Sequence, residues 1–199
     1  MQIIAHRGYW TKDCEKNTLT AFKRAFELDF GVELDVRDSN KKIVISHDMP
    51  SGDEIEFSEL LKIAQNKFLA INIKCDGISL KVKRLLEKYN HTNYFTFDMS
   101  IAELPQYAKN KLNFFVGLND ITKTAPMLNE AQGVWLDGFF DDWFSGDDIQ
   151  KILNKNKKVC VVSPELHNRE YKKIWIKYKN IQNIMLCTDY PKEALEFFK

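Results

Sequence analysis

No apolar run in this sequence approaches the roughly 18 to 20 residues needed to span a bilayer. Met1 to Gly8 also lacks a basic stretch followed by an apolar one, so neither secretion nor a membrane span is expected. Cysteine is sparse. Cys14, Cys75, Cys160 and Cys187 are widely spaced with no Cys-x-x-Cys pair, and three of them fall in apolar runs that suit small buried thiols. Reduced thiols of this kind suit a cytoplasmic protein. An excess of one charge is missing too: 29 basic side chains face 28 acidic ones, a net charge of +1. That balance gives no electrostatic reason for a nucleic-acid or membrane partner. Linkers, low-complexity tracts and internal repeats are absent. So are the His-x-His and His-Glu-x-x-His patterns of zinc hydrolases, and the glycine-rich first turn of a dinucleotide fold.

What is present is an ordinary globular composition, 44% hydrophobic and 13% aromatic over 199 residues, enough for one core and one domain spanning residues 1–199. Short apolar runs recur: Ile3–Ala5, Val32–Val36, Phe68–Ile73, Tyr94–Phe97, Phe114–Leu118, Val134–Leu136, Val159–Val162 and Ile184–Cys187. Segments with helical spacing lie between them, such as Thr18, Phe22, Ala25, Phe26 and Asp29. Strand then helix throughout argues for a parallel sheet with crossover helices. Eight units close a compact (β/α)8 TIM barrel, an α/β fold whose helices must be short at this chain length. After Val36 a polar turn, Asp38–Lys42, leads into Ile43–Ile45, which reads as a small hairpin extension after strand two.

Alternation along a strand puts Val32, Leu34 and Val36 toward the helices and Glu33, Asp35 and Arg37 toward the lumen. Two carboxylates about 7 Å apart on one strand face need a cation between them, a lysine or arginine of the chain or a bound ion. On the third barrel strand the same alternation turns Asn72 and Lys74 inward. Polar residues recur where the apolar runs end: His6, Arg7, Asp98, Asn119, Asp137, Glu165 and Asp189 join those above. Barrel active sites are built at strand C-termini, although chains also simply exit into water there, the plainer reading of Asp98, Asn119 and Asp137. His91, in Asn90-His91-Thr92-Asn93, reads as a solvated loop residue, and His167 as a surface residue or a substrate contact. His6 and His47 each end an apolar strand beside a charge, an arrangement suited to acid/base chemistry on an anion.

These residues carry a specific resemblance. His6-Arg7-Gly8, Asn17-Thr18-Leu19-Thr20-Ala21-Phe22, Gly31-Val32-Glu33-Leu34-Asp35-Val36, Val44-Ile45-Ser46-His47-Asp48 and Cys187-Thr188-Asp189-Tyr190-Pro191 together resemble the signature of the glycerophosphodiester phosphodiesterase family. The resemblance implies a (β/α)8 barrel that hydrolyses a small soluble phosphodiester with a divalent cation, Mg²⁺ or Ca²⁺. It implies His6 and His47 as general acid and base, Arg7 as the phosphate clamp, and Glu33 and Asp35 around the metal with Asn72 at the third ligand position, while Lys74 and His167 join as substrate contacts read from their places at strand ends. A neighbouring hydroxyl of a glycerol-like group would serve as internal nucleophile and give a cyclic phosphate that water opens. Glycerophosphodiesters belong to lipid metabolism, although small members with Asn-Ile-Lys on the third strand, as at Asn72-Ile73-Lys74 here, look like a distinct branch whose substrate need not be of lipid origin.

The chain departs from the family pattern in three places. Asn72-Ile73-Lys74 stands where the family usually has Glu-x-Lys, so a neutral amide replaces one metal carboxylate and weaker cation binding is expected, unless Glu165 supplies the missing charge. Lys16-Asn17-Thr18 replaces the usual Glu-Asn-Thr, and the segment after His47-Asp48 is short, which predicts an open site. An alternative reading is a barrel with weak or no turnover that binds a phosphorylated ligand. The oligomeric state is not legible in the sequence.

Overall fold

The computed structural model describes residues 1–199. Its parallel strands are β1 (Gln2–Ala5), β2 (Gly31–Ser39), β4 (Leu69–Ile73), β5 (Tyr94–Phe97), β6 (Phe115–Leu118), β7 (Gly133–Leu136), β8 (Lys158–Val162) and β9 (Ile184–Thr188), in the spatial order β5-β4-β2-β1-β9-β8-β7-β6. A single parallel bridge, Thr96 to Phe114, joins the two ends of that order into a barrel. The seam has few backbone bonds, and side chains close it instead. In the lumen Phe95 stacks on Phe115 at 3.8 Å and Phe97 on Trp135 at 3.9 Å, so aromatic faces bridge β5 to β6 and β7. Gly133 is required on this wall, because a Cβ there would lie 2.5 Å from the Lys158 carbonyl oxygen and 2.6 Å from the Phe115 ring.

The expected alternation holds on both strands that matter. Val32, Leu34 and Val36 of β2 and Leu69, Ile71 and Ile73 of β4 are buried in the outer core beneath the helices, while Ala70 packs in the lumen. The register Asp35 to Asn72 places those two side chains abreast on the inner face. β2 outruns the barrel. Its last residues pair antiparallel with β3 (Lys42–Ile45) through a two-residue turn, Asn40-Lys41, both with positive φ as a tight hairpin demands.

The helices are short: α1 (Leu19–Glu27), α2 (Phe57–Ala64), α3 (Ser79–Lys88), α4 (Leu104–Lys109), α5 (Gly146–Leu153), α6 (Lys172–Trp175) and α7 (Pro191–Phe197). α1 shows the local logic. Thr18 caps it by accepting the Ala21 N–H, and Ala21, Phe22, Ala25 and Phe26 form one buried stripe. The expected strand-helix rhythm fails once, because residues 119–132 between β6 and β7 contain no helix. Pro126 lacks an N–H, the β-branched Ile121, Thr122 and Thr124 disfavour helix, and the Asn119 side chain folds the start into a turn by accepting the Ile121 and Thr122 N–H groups. Ala125, Met127 and Leu128 nevertheless cover the core as a helix would.

Cys160 and Cys187 are buried in the lumen and Cys75 is half-buried; none is paired. His91 is 3% exposed, a correction to its reading as a solvated loop residue. Its backbone N–H closes the end of α3 on the Leu86 carbonyl, which draws the ring inside. No helix is long and apolar enough to cross a membrane.

Candidate active site

A cavity of about 320 Å³ opens at the C-terminal ends of the strands. The end of β1 builds its centre. The Gly8 N–H returns to the Ala5 carbonyl at 3.1 Å, and the tight turn puts Arg7 at φ 55° and Gly8 at φ 86°. Gly8 also lies against α1, where a Cβ would sit 2.8 Å from Ala21 Cβ, so only glycine fits. This strained turn aims His6 and Arg7 into the pocket and points the Arg7 N–H at Glu33 Oε2, 3.1 Å away.

Glu33 and Asp35 are each 1% exposed. Asp35 is surrounded by donors: Asn17 Nδ2 at 2.8 Å and Arg7 Nε at 3.1 Å on Oδ2, and Lys74 Nζ at 3.3 Å on Oδ1. The two cations lie close enough for charge attraction, but neither aligns well enough to count as a hydrogen bond. Glu33 has less support. Burial, and then the charge of Asp35, push its carboxyl well above the usual range despite Arg7 and Lys74.

Three histidines are each held by a carboxylate. His6 Nδ1 lies 2.7 Å from Asp189 Oδ1, which fixes the ring with Nε2 toward Glu33, 3.9 Å from Oε2. Burial lowers the basicity of His6 more than Asp189 raises it, so the neutral ring is favoured. His47 Nδ1 lies 2.8 Å from Asp48 Oδ1 on the open side of the pocket, at the end of the hairpin strand, where the Ser46 N–H ties the chain to the Asp35 carbonyl. On the opposite wall His167 Nε2 meets Asp137 Oδ1 at 2.8 Å.

The cavity therefore gathers His6, Arg7, Glu33, His47, Lys74 and His167 from the expected set, together with Asn72, while Asp35 lies directly beneath as their counter-charge. Four further residues gain a place. Asp189 orients His6, and its signal was the Thr-Asp-x-Pro segment at the last strand end. Asn17 braces Asp35 from the turn before α1, and its signal was the Asn17-Thr18 pair within the family-like motif. Asp98 accepts from Asn72 Nδ2 at 3.1 Å; its surface remains open to the pocket, yet the surrounding protein pushes its carboxyl up to about 6. Asp137, read as a solvent-facing strand end, is 6% exposed. Glu165 does not turn toward Asp35. Its carboxylate is engaged by the Ser163 and Thr188 hydroxyls and by the Asp189 N–H at 3.1 Å, bracing the ends of β8 and β9.

Solved structures with this architecture span essentially the whole chain. A candidate glycerophosphodiester phosphodiesterase from Galdieria sulphuraria aligns with a TM-score of 0.78 at 18% identity, over 99% of this chain and 97% of its own. Glycerophosphodiester phosphodiesterases from Parabacteroides distasonis ATCC 8503 (TM-score 0.74, 15% identity, 99% and 96%) and Agrobacterium tumefaciens str. C58 (0.69, 16%, 100% and 98%) align similarly. The chain has the glycerophosphodiester phosphodiesterase fold. No protein-family model and no curated protein matches the sequence.

The residues at the centre of this fold fit a divalent cation. Asn72 Oδ1 is a buried oxygen without a hydrogen-bond donor, Glu33 is a buried carboxylate short of compensating charge, and Asp35 Oδ1 is met by the Lys74 charge at 3.3 Å without a well-aligned hydrogen bond. Hard cations take oxygens of this kind, and orphaned acceptors in a low-dielectric pocket are costly unless something binds them.

Proposed function

We propose that the protein is a phosphoric diester hydrolase acting on a small glycerophosphodiester-like substrate, with His6 and His47 as the acid/base pair. The observation that carries this reading is the junction in one pocket of an arginine, two carboxylate-oriented histidines, the buried Glu33 carboxylate and an Asn72 oxygen lacking a donor. Fold likeness alone would not support it, since one barrel hosts many chemistries.

The anionic phosphate enters between Arg7 and Lys74, whose charges offset its own. His6, neutral and held by Asp189 on Nδ1, presents Nε2 to take the proton from the attacking hydroxyl, on the pattern of a carboxylate-oriented imidazole. His47, on the open side, delivers a proton to the departing alkoxide. Where the attacking hydroxyl neighbours the phosphate on the glycerol itself, the reaction is intramolecular and gains from effective molarity. Glu33, Asp35 and Asn72 would hold Mg²⁺ or Ca²⁺, which when bound neutralises phosphate charge as a Lewis acid. Cysteines that form no disulfide accord with a cytoplasmic setting.

The binding-only alternative draws on Arg7 and Lys74, which at 3.1 and 3.3 Å from Asp35 already offset a buried charge. Phosphorus NMR separates the two readings. Incubation with glycerol, inositol and sugar phosphodiesters plus Mg²⁺ or Ca²⁺ is expected to release a monoester; no product from any diester with either cation favours the binding barrel.

A further inference from the structure

Half of the cavity takes no part in the phosphate chemistry. Its wall takes Asp137 and Phe139 from the segment 137–143 between β7 and α5, together with Asn119 and His167, and that segment has no regular secondary structure yet is fixed along its length. The Asp120 carboxylate accepts the N–H groups of Phe139, Phe140 and Asp141 at 3.0, 2.7 and 3.1 Å. Arg169 donates to the Gly138 carbonyl at 2.7 Å, and the Trp143 indole donates to the Asp137 carbonyl at 2.6 Å. Gly138 has no room for a side chain, since a Cβ would meet the Asp141 carbonyl oxygen at 2.5 Å. The protein's own bonds satisfy this backbone, so its side chains are free to act as a preorganised surface.

The groups this wall presents share a chemistry. Asp137 Oδ1 accepts the Gly138 N–H at 2.7 Å and meets His167 Nε2 at 2.8 Å, which leaves Oδ2 as an acceptor and His167 Nδ1 on the other edge of the ring. Asn119 spends its oxygen on two backbone N–H groups, which leaves its amide as a donor. Phe139 is 37% exposed and packs edge-on to His167 at 5.0 Å, so its ring forms an apolar face beside these polar groups.

We infer that this wall binds a polyhydroxylated ring, a cyclitol or hexose, as one of the alcohols esterified to the phosphate. Such a ring has a C–H face to lay on Phe139 and hydroxyls at its edge that donate to Asp137 and accept from Asn119. A quaternary ammonium alcohol such as choline calls instead for a cage of several aromatic faces. That cage is missing: besides Phe139 and the His167 ring, the one aromatic side chain lining the cavity is Trp135, which is 6% exposed and stacked on one face by Phe97. The inference deepens the diesterase reading, on which it relies for the phosphate that ties the ring to the other half of the pocket.

Calorimetric binding of myo-inositol 1-phosphate, glucose 1-phosphate and choline phosphate tests it without turnover. Wild type is expected to bind at least one ring phosphate about tenfold more tightly than choline phosphate, in keeping with a site built to hydrogen-bond hydroxyls. Phe139→Ala and Asp137→Asn should collapse that ratio, and Phe139→Tyr, which keeps the face, should preserve it. Equal or tighter binding of choline phosphate overturns the inference, as does a ratio that neither Phe139→Ala nor Asp137→Asn changes. Ring-selective binding without hydrolysis of any diester would overturn the diesterase reading alone, whereas hydrolysis without ring selectivity would overturn this inference alone.

Discussion

Replacing Asn72 by glutamate changes the candidate cation site most informatively, because its oxygen is the neutral member of the set. In wild type Asn72 Oδ1 has no donor while Nδ2 donates to Asp98 at 3.1 Å. Asn72→Glu adds a charged ligand, an interaction worth about 1.5–3 kcal/mol, and loses one hydrogen bond worth about 1 kcal/mol. It also sets two carboxylates side by side. If both stayed ionised at about 5 Å in an effective dielectric of about 20, their repulsion would reach about 3 kcal/mol and cancel the gain. Asp98 escapes this by taking up a proton, since its carboxyl already stands at about 6. The net expectation is about 0.5–2 kcal/mol, or roughly 2- to 30-fold tighter Mg²⁺ or Ca²⁺ binding by calorimetry without substrate. Asp98→Asn in the same background removes the repulsion and should enlarge the gain, a coupling that a double-mutant cycle isolates. Glu165→Gln should leave the affinity unchanged, because its carboxylate is committed to Ser163, Thr188 and Asp189. An affinity that Asn72→Glu fails to improve in either background, or that Glu165→Gln abolishes, would refute this placement of the cation.

Asp189→Asn keeps the shape of the His6 contact but no longer holds the Nδ1 proton, so kcat should fall by about 10²–10⁴ while the fold persists, and an unchanged kcat would make Asp189 merely structural. Arg7→Lys replaces a planar fork by a point charge and should lower kcat/KM by at least about tenfold; parity with wild type would show that the phosphate lies elsewhere. His91 supplies a pH test remote from the site. Burial depresses its basicity in the folded chain, so the unfolded chain binds the proton more readily, and stability is full above the unfolded value near 6.5 and declines as pH falls below it. His91→Phe should flatten the loss in thermal midpoint between about pH 7.5 and 5, and parallel losses in both proteins would contradict the burial argument.

The barrel and the centre of the site were legible because both rest on short-range pattern. Period-two alternation in Val32–Arg37 sorts Glu33 and Asp35 from the outer core residues without knowledge of the partner strands. The missing helix before β7 was not legible, because Ala125, Met127 and Leu128 supply the apolar positions of a helix in a segment that Pro126 and β-branched residues keep from coiling. His91 misled because polar neighbours conceal a ring drawn inward by a helix end. Asp189 was visible as part of a motif, but its contact with His6 spans 183 positions, and only barrel closure brings β9 beside β1. The wall at 137–143 depends on Asp120 and Arg169, which lie on other loops and have no regular spacing to mark them.

The most direct test of the acid/base assignment is the rate of monoester release, followed by phosphorus NMR, for wild type, His6→Ala and His47→Ala on the same glycerophosphodiester with the cation present. With folding verified by circular dichroism, each substitution is predicted to lower turnover by about 10²–10⁴, the contribution of a positioned acid or base. A folded variant of either histidine that releases product at the wild-type rate would contradict the two-histidine mechanism.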